Sequence, residues 1–245
     1  MVLNLKSCKY FSFYRYKRAF YAAFKRDRSG VSVRDLIKND VAYSQTLDLL
    51  VKLFPDNPQV SEIYNSGTKF YQELLQRQDL RSPQIWNAGP NLCTFLYTIT
   101  NILKPKIVVE TGVANGFTTL SILKGLESTD GELHSFDIDK DTKEIGRNYP
   151  NWHWHQIDSL NPLKSIKKSM NKIEAVDLWV HDSDHSYFWQ WNEYKIAKIK
   201  LNRSGMLISD DIDFSRAWSQ ISSTFSDSYV LFDHFKFIGI AHFRK

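Results

Sequence analysis

The chain has 245 residues, 42% of them hydrophobic and 24% charged, with a formal net charge of +5 and a pI near 9.0. This length can bury the core of one α/β domain plus an extension, and no apolar run approaches the ~20 residues that a membrane span needs. The start, MVLNLKSCKYFSFYRYKR, lacks the apolar stretch of a signal peptide, and Cys8 and Cys93 are too distant in sequence for a zinc or redox motif. We therefore expect a cytoplasmic protein in a reducing setting.

Basic and aromatic residues alternate near the N-terminus, over residues 4–28. Phe13, Tyr16, Phe20 and Phe24 fall near helical spacing, which predicts an amphipathic helix. The positive charge can attract an anionic partner or simply lie in solvent. The aromatic face can pack in the protein or in a dimer, which we favour, or it can stack on single-stranded nucleic acid.

Helical patterns fill most of the first hundred residues. Apolar residues at helical spacing, with proline or turn-rich segments between them, predict three helices over residues 31–53, 59–80 and 91–103. We accordingly divide the chain into a helical N-terminal cover, residues 1–84, and a main domain, residues 85–245.

From residue 106 onward, strand patterns and helix patterns alternate. Strands are predicted at 106–110, 132–137, 152–157, 175–181, 204–210, 228–233 and 236–243. Helices are predicted at 116–126, 140–148, 159–169, 186–201 and 213–225. The alternation is typical of a Rossmann-like α/β fold with a mostly parallel sheet and helices on both faces. The last two strands follow each other directly, which predicts a terminal antiparallel hairpin.

A glycine-containing turn follows the first of these strands, in the stretch KIVVETGVANGF at 106–117. Glu110 ends the strand, and Gly112 and Gly116 allow the backbone to turn sharply and approach a ligand, because a Cβ atom there would collide. An NAD-binding site also has a glycine turn after its first strand, but the NAD sequence motif needs a second glycine where this chain has Ala114. The turn predicts a nucleotide-like cofactor at the strand ends.

A carboxylate also closes the second strand. Asp137 follows LHSF, and a carboxylate at this place can accept hydrogen bonds from both hydroxyls of a ribose. Its neighbour Asp139 is expected to cap the helix that begins near Lys140.

Four acids follow the fourth and fifth predicted strands: Asp182 and Asp184 after AVDLWV, and Asp210 and Asp211 after GMLIS. Because these strands are neighbours in such a sheet, the carboxylates converge at one edge, where they repel each other unless a cation or a proton holds them. Hard oxygen ligands suit Mg²⁺, with Mn²⁺ as a second candidate. The alternative is that Asp184 and Asp213 cap helices and the other acids are solvated.

These motifs together resemble class I S-adenosylmethionine-dependent methyltransferases: Glu110-x-Gly112-x-x-x-Gly116, SFDID and QID at the first three strand ends. The fourth and fifth strand ends, WVHDSDHSY and LISDDID, are similar to metal-dependent small-molecule O-methyltransferases, a group that includes sugar-modifying and catechol O-methyltransferase-like enzymes. The resemblance covers about residues 85–245. It implies a seven-stranded sheet in the order 3-2-1-4-5-7-6, with strand 7 antiparallel.

The resemblance also implies roles at the cofactor. Glu110 would lie near the amino group of the methionine part, and Asp158 would bond the adenine amino group, although Asp158 can equally cap the next helix. Ile138 or Ser159 would line the adenine. The remaining expected contacts of S-adenosylmethionine are Gly112, Gly116, Asp137 and Asp182.

For the chemistry, the resemblance to the sugar enzymes implies Asp182, Asp210 and Asp211 as metal ligands and Asp184 as the general base. Catechol-type enzymes carry a lysine base three positions after the first metal aspartate, where this chain has His185. His185 can act as a base or can orient an aspartate. A metal would lower the pKa of a bound hydroxyl, and a nearby base would remove its proton.

The sequence thus predicts an S-adenosylmethionine-dependent methyltransferase that methylates oxygen, with Mg²⁺ assistance, on a small hydroxylated acceptor, with a sugar-containing acceptor as the narrower expectation. Two alternatives stay open: a metal-free methyltransferase acting on nitrogen or carbon, and an RNA-binding or non-catalytic module on the same fold. The predicted partner is a small molecule, with a homo-oligomer and nucleic acid left open.

Overall fold

The computed structural model describes residues 40–79, 87–233 and 236–242. The basic aromatic segment at 4–28 lies outside these residues, and so do Cys8 and the predicted chain division near residue 84. Among the described residues, no helix has both the length and the apolar character that crossing a membrane requires.

The described residues form eight strands and seven α-helices. The strands are β1 (Val41–Tyr43), β2 (Ile107–Thr111), β3 (Glu132–Asp137), β4 (Trp152–Gln156), β5 (Val176–His181), β6 (Leu201–Ser209), β7 (Asp227–Asp233) and β8 (Lys236–His242). The helices are α1 (Thr46–Leu53), α2 (Val60–Leu74), α3 (Pro90–Leu103), α4 (Phe117–Leu126), α5 (Pro162–Met170), α6 (Tyr187–Lys200) and α7 (Ala217–Ser222).

All eight strands join a single sheet in the order β1-β7-β8-β6-β5-β2-β3-β4. Only β8 runs antiparallel, against β6 on one side and β7 on the other. The Rossmann-like fold, the order of the seven predicted strands and the antiparallel last strand are therefore confirmed.

The eighth strand, β1, was not predicted, because residues 31–53 carry a helical pattern that includes it. The structure places Val41–Tyr43 beside β7 as a parallel edge strand, and the helix begins only at Thr46. Asp40 fixes this strand, because its carboxylate accepts hydrogen bonds from Trp218 Nε1 at 3.2 Å and from the Ser228 hydroxyl. These distant contacts override the local helical pattern.

Both faces of the sheet are buried, and this explains the continuous apolar runs in its central strands. Val108 lies in a core formed with α1 to α4, whereas its neighbour Val109 lies in a second core with α5, α6 and α7. Leu50 of α1 and Leu74 of α2 belong to the first core, so the N-terminal helices pack directly on the sheet.

Two predicted helices are shorter and less regular than their patterns indicate. The helix predicted at 140–148 is a 3-10 helix over Lys140–Glu144, in which Thr142 bonds both the Asp139 carbonyl and the indole of Trp154. Asp139 caps it as expected, by accepting from the backbone N–H of Asp141 at 3.0 Å.

The helix predicted at 213–225 is divided into a 3-10 helix, Ile212–Phe214, and α7. Ser215 separates them with extended backbone angles. Its hydroxyl donates to Gln190 Oε1 at 2.7 Å and accepts from the backbone N–H of Ala217 at 3.1 Å. A continuous helix would break both contacts.

Candidate functional site

A cleft of about 440 Å³ opens at the carboxyl ends of β2, β3 and β5, where ligands bind in open α/β sheets. Its lining includes Gly112, Asp137, Ile138, Ser159, Asp184 and Trp189. Ile138 is 61% exposed and adds an apolar side chain to this lining. The structure thus brings together five of the residues that the sequence assigned to the cofactor or the chemistry.

The glycine turn, residues 112–116, connects β2 to α4. Gly112 and Gly116 have φ angles of 86° and 75°, in the left-handed region that favours glycine. A Cβ atom on Gly112 would stand 2.1 Å from the carbonyl oxygen of Asp182, and one on Gly116 would stand 2.3 Å from Ile145 Cγ2. The atoms that demand glycine here belong to the protein itself, so the turn is packed against the end of β5 as well as facing the cleft.

Asp137 supports the glycine turn from β3. Its Oδ2 accepts from the backbone N–H groups of Val113 at 2.7 Å and Ala114 at 3.2 Å, and its Oδ1 accepts from that of Asp139 at 2.8 Å. The carboxylate is therefore fixed in position at the cleft wall. Oδ1 keeps one lone pair for a further donor.

Glu110 is fully buried beneath the cleft and does not line it. Its Oε2 accepts from the hydroxyls of Thr119 at 2.7 Å and Ser135 at 2.6 Å, whereas Oε1 has no hydrogen-bond partner. Burial raises the pKa of Glu110 to about 7, and the two hydroxyl contacts oppose that rise. The predicted contact with the methionine amino group stays a prediction.

Asp158 lies in an exposed turn after β4. Its Oδ1 accepts from the backbone N–H of Leu160 at 2.9 Å, and its Oδ2 accepts from Asn161 Nδ2 at 3.3 Å. These bonds organise the turn before α5, but the N-cap residue of that helix is Asn161, so Asp158 is not the helix cap considered as the alternative. The adenine contact stays a prediction.

The acid cluster consists of Asp182, Asp210, Asp211 and the ammonium group of Lys236. Asp210 is 1% exposed, and it accepts a hydrogen bond at Oδ2 from Nζ of Lys236, whose side chain is 19% exposed. Burial and the charge of Asp210 raise the pKa of Asp182 well above its ordinary value. Burial alone would lower the pKa of Lys236, but the three carboxylates outweigh it and raise that pKa. The cluster therefore already contains a cation.

The predicted magnesium ligands are not arranged as a three-carboxylate site. Within the described ranges, Asp182, Asp210 and Asp211 do not form a group whose ligand atoms all lie within 4.8 Å of one another. Asp210 faces Lys236, while Asp211 Oδ2 lies 3.5 Å from His185 Nε2. Asp210 Oδ1 is buried without a hydrogen-bond partner, so this carboxylate retains an unused ligand atom.

Asp184 and His185 follow β5 and differ in their surroundings. Asp184 is exposed at the cleft, and its Oδ1 accepts from the backbone N–H of Ser186 at 2.7 Å at the start of α6. His185 is held against Asp211, and burial lowers its pKa although Asp211 acts in the opposite direction. The imidazole is therefore neutral at pH 7 and able to accept a proton.

Two groups at this site are not marked by any local sequence motif. Lys236 was seen only as part of the terminal hairpin, although the predicted strand order placed that strand beside the one that carries Asp210. Behind the cleft, His181 Nδ1 contacts Glu193 Oε2, and both side chains are fully buried. Thr111 donates to the same carboxylate at 2.9 Å. No local motif marks this pair.

Comparison with known proteins agrees with this geometry. Residues 109–212 match the family model described as a methyltransferase domain. A search of curated proteins finds no match. The matched residues include all five strand ends that carry the resemblance described above.

Solved structures share the fold at low sequence identity. An O-methyltransferase from Bacillus cereus in complex with SAH is 12% identical, with a TM-score of 0.51 over 82% of this chain and 98% of that one. The O-methyltransferase TomG from Streptomyces achromogenes, involved in tomaymycin synthesis and in complex with SAM, is 11% identical, with a TM-score of 0.52 over 81% of this chain and 96% of that one. The SAH-bound methyltransferase PaMTH1 of Podospora anserina is 11% identical, with a TM-score of 0.51 over 100% and 98%. At these identities the likeness establishes the fold alone.

Proposed function

We propose that this chain transfers a methyl group from S-adenosylmethionine to a hydroxyl oxygen of a small acceptor molecule. The observation that carries the proposal is the cleft at the ends of β2 and β3, where the glycine turn and the fixed carboxylate of Asp137 stand side by side. The matched methyltransferase domain and the SAM- or SAH-containing O-methyltransferases of the same fold support this choice of cofactor and acceptor atom.

The cofactor would lie with its ribose at Asp137. One ribose hydroxyl donates to the remaining lone pair of Oδ1, and the second replaces the long bond from Ala114 to Oδ2. Ile138 and Ser159 would line the adenine on the exposed side. Asp182 stands next to Gly112, near the place where the methionine part would lie.

The chain's own groups would handle the proton of the acceptor. The hydroxyl oxygen attacks the methyl carbon in line, the carbon–sulfur bond breaks, and the sulfonium becomes a neutral thioether. Asp184, which lines the cleft, is the proposed base that takes the hydroxyl proton. His185, neutral and in contact with Asp211, is the second candidate for that base or the group that orients Asp211.

Magnesium assistance stays a prediction, and the acid cluster as it stands does not fit it. The ammonium of Lys236 occupies one oxygen of Asp210, and Asp211 is directed to His185. The side chains of Asp182 and Asp210 already contact each other, so a divalent ion would have to displace the Lys236 ammonium from Asp210. The methyl transfer proposed above therefore relies on positioning and on the base. The sugar character of the acceptor also stays a prediction.

Calorimetric titration of the purified chain with S-adenosylhomocysteine tests the cofactor site. We expect saturable binding that Asp137→Ala weakens, and the absence of binding by the wild type would refute the proposal. Transfer of a radiolabelled methyl group to a panel of hydroxylated small molecules then tests the acceptor. Products methylated on nitrogen or carbon would instead support the metal-free alternative.

Two variants and a chelator separate the parts of this mechanism. Asp184→Asn is expected to lower turnover while cofactor affinity stays at the wild-type value. Asp139→Asn, which alters an acid next to the cofactor site that lies outside the cleft lining, is the matched control. Activity retained in EDTA is expected if Lys236 serves as the cation of the cluster. Activity lost in EDTA and restored by Mg²⁺ would support magnesium assistance.

A further inference from the structure

A cluster of histidines and one glutamate lies at the opposite end of the sheet from the cleft. Glu132 and His134 begin β3, and His153 lies directly beside His134 on β4. All three side chains project from the same face, because Glu132 and His134 are two residues apart on one strand. In the sequence His153 and His155 have no acidic neighbours, so no local motif indicates this cluster.

The ligand atoms of these three residues converge. His153 Nε2 lies 3.3 Å from Glu132 Oε2, and His134 Nε2 lies 3.6 Å from the same oxygen. All of the ligand atoms lie within 4.8 Å of one another. A tetrahedral zinc ion with bonds of about 2.1 Å separates its ligand atoms by about 3.4 Å. The observed spacings therefore suit such an ion with only small side-chain movement.

The hydrogen bonds around the cluster favour ligation. His134 Nδ1 lies 3.0 Å from His155 Nε2, so an Nδ1–H tautomer of His134 donates to His155 and leaves Nε2 with its lone pair toward Glu132. A metal-binding histidine usually donates its other ring N–H in this way. His153 Nε2 is a buried atom without a hydrogen-bond partner, although the side chain as a whole is 41% exposed.

We propose that Glu132, His134 and His153 form a binding site for a divalent transition-metal ion, with Zn²⁺ as the ion that the ligand set suits best. Two imidazoles and one carboxylate are a zinc ligand set, and they leave a fourth position for water. Glu132 is 47% exposed, so an ion can enter from solvent. The site is separate from the acid cluster, whose ligands are all hard oxygens.

The site also adjoins the cofactor cleft through stacked rings. The ring of His155 stacks on that of Phe136 with centroids 4.6 Å apart, and Phe136 lines the cleft. His134 stacks on His153 at 4.7 Å and on His155 at 5.2 Å. A bound ion would hold this row of rings at its outer end, at the edge of the sheet.

Titration of the tag-free chain with ZnCl₂ in a calorimeter tests the site, and Co²⁺ in place of zinc supplies an optical readout. We expect one saturable Zn²⁺ per chain and visible Co²⁺ bands typical of four-coordinate geometry. His155→Ala should weaken binding about 10- to 100-fold, as loss of a partner of a metal-binding histidine does. His153→Ala and Glu132→Gln should weaken it more than that and should abolish the Co²⁺ bands.

His242→Gln, which removes a histidine of β8 outside the cluster, is the matched control and should bind Zn²⁺ as the wild type does. Circular dichroism and urea unfolding without metal establish that each variant is folded. Zn²⁺ should raise the unfolding temperature of the wild type but not of His153→Ala. The proposal would be overturned if the wild type showed no saturable Zn²⁺ binding. It would also be overturned if Glu132→Gln and His153→Ala bound Zn²⁺ with the same affinity as the wild type. None of these measurements depends on methyl transfer.

Discussion

The glycine turn and the acid cluster lie in contact, but different forces hold them together. The glycine turn is closed by backbone geometry: Gly112 N donates to Phe136 O at 2.8 Å, and Asp137 accepts from the two residues that follow. The acid cluster is held by charge, through side chains from three strand ends and the ion pair of Asp210 with Lys236. The two regions meet where Gly112 packs against the carbonyl of Asp182.

This difference determines what each region can tolerate. At Gly112 the steric requirement forbids side chains of any charge, because the obstacle is the backbone of Asp182. The acid cluster tolerates changes of shape better than changes of charge, because an unpaired buried ion is strongly unfavourable. Substitutions of each kind can separate these requirements.

The largest effect is expected for Lys236→Met, which leaves Asp210 buried without its cation. Removing one partner of a buried ion pair lowers the free energy of unfolding by about 3–5 kcal/mol. Urea unfolding at pH 7 measures this change. Adding Asp210→Asn to Lys236→Met should recover most of the loss, because no unpaired charge then remains.

Magnesium gives a second readout on the Lys236→Met variant. With the ammonium removed, Asp182 and Asp210 can bind a divalent ion, so added Mg²⁺ should restore stability to this variant and leave the wild type unchanged. A loss of less than about 1 kcal/mol in Lys236→Met, the usual size for an exposed pair, would show that charge does not govern the acid cluster.

Gly112→Ala is expected to have the next largest effect, by steric means. The φ angle of 86° disfavours alanine by about 1–2 kcal/mol, and displacement of the Asp182 carbonyl adds about 1–3 kcal/mol. Urea unfolding should therefore show that the free energy of unfolding falls by about 2–5 kcal/mol, together with weaker cofactor binding.

Ala114→Gly is the matched control in the same turn. Ala114 already has a φ of 47°, so glycine relieves strain and stability should stay nearly unchanged. Equal losses in both variants would contradict the steric account.

The sequence predicted the glycine turn well because its requirements are local. Two glycines and a following helical pattern indicate the sharp turn directly. Apolar runs such as Val108 and Val109 indicate strands that are buried on both faces. The order of the seven strands followed from the family resemblance and from the direct succession of β7 and β8. These features need no knowledge of the partner side chains.

The parts that the sequence did not predict depend on contacts between distant residues. Lys236 reaches Asp210 because the antiparallel register pairs Ser209 with Gly239, and no local pattern contains that register. The short strand β1 depends on Asp40, whose partners Trp218 and Ser228 lie 178 and 188 residues further along the chain. The acids of the cluster were visible in the sequence, but their cation was not.

Glu110→Gln tests whether charge matters beneath the glycine turn. Burial raises the pKa of Glu110 from 4.5 to about 7, so the folded protein retains a proton that the unfolded chain releases at lower pH. This stabilisation is complete below about pH 4.5 and is lost as the pH rises through about 7. Glutamine cannot ionise, so the stability of the variant relative to the wild type should rise by about 3 kcal/mol between pH 4.5 and 8.

Unfolding measured in urea across that pH range gives the comparison for Glu110→Gln. Glu127→Gln alters a carboxylate that is 47% exposed and pairs with Lys124, and its relative stability should change by less than about 1 kcal/mol. If the free energy of unfolding of Glu110→Gln instead changes with pH as that of the wild type does, Glu110 is ionised over this pH range. A negative charge then lies beneath the glycine turn.

The smallest effect, and the most direct on the cofactor, is expected for Asp137→Ala. The carboxylate that would receive the ribose also holds Val113 and Ala114, so its removal loosens the glycine turn and deletes hydrogen bonds to a charged group. Such bonds contribute about 1.5–3 kcal/mol, which corresponds to about 10- to 100-fold weaker binding of S-adenosylhomocysteine by calorimetry. Asp158→Ala, which alters an exposed turn at the same cleft, should change that affinity less than about threefold if Asp158 only organises the start of α5. A comparable loss in Asp158→Ala would instead assign it the adenine contact and extend the cofactor site beyond the glycine turn.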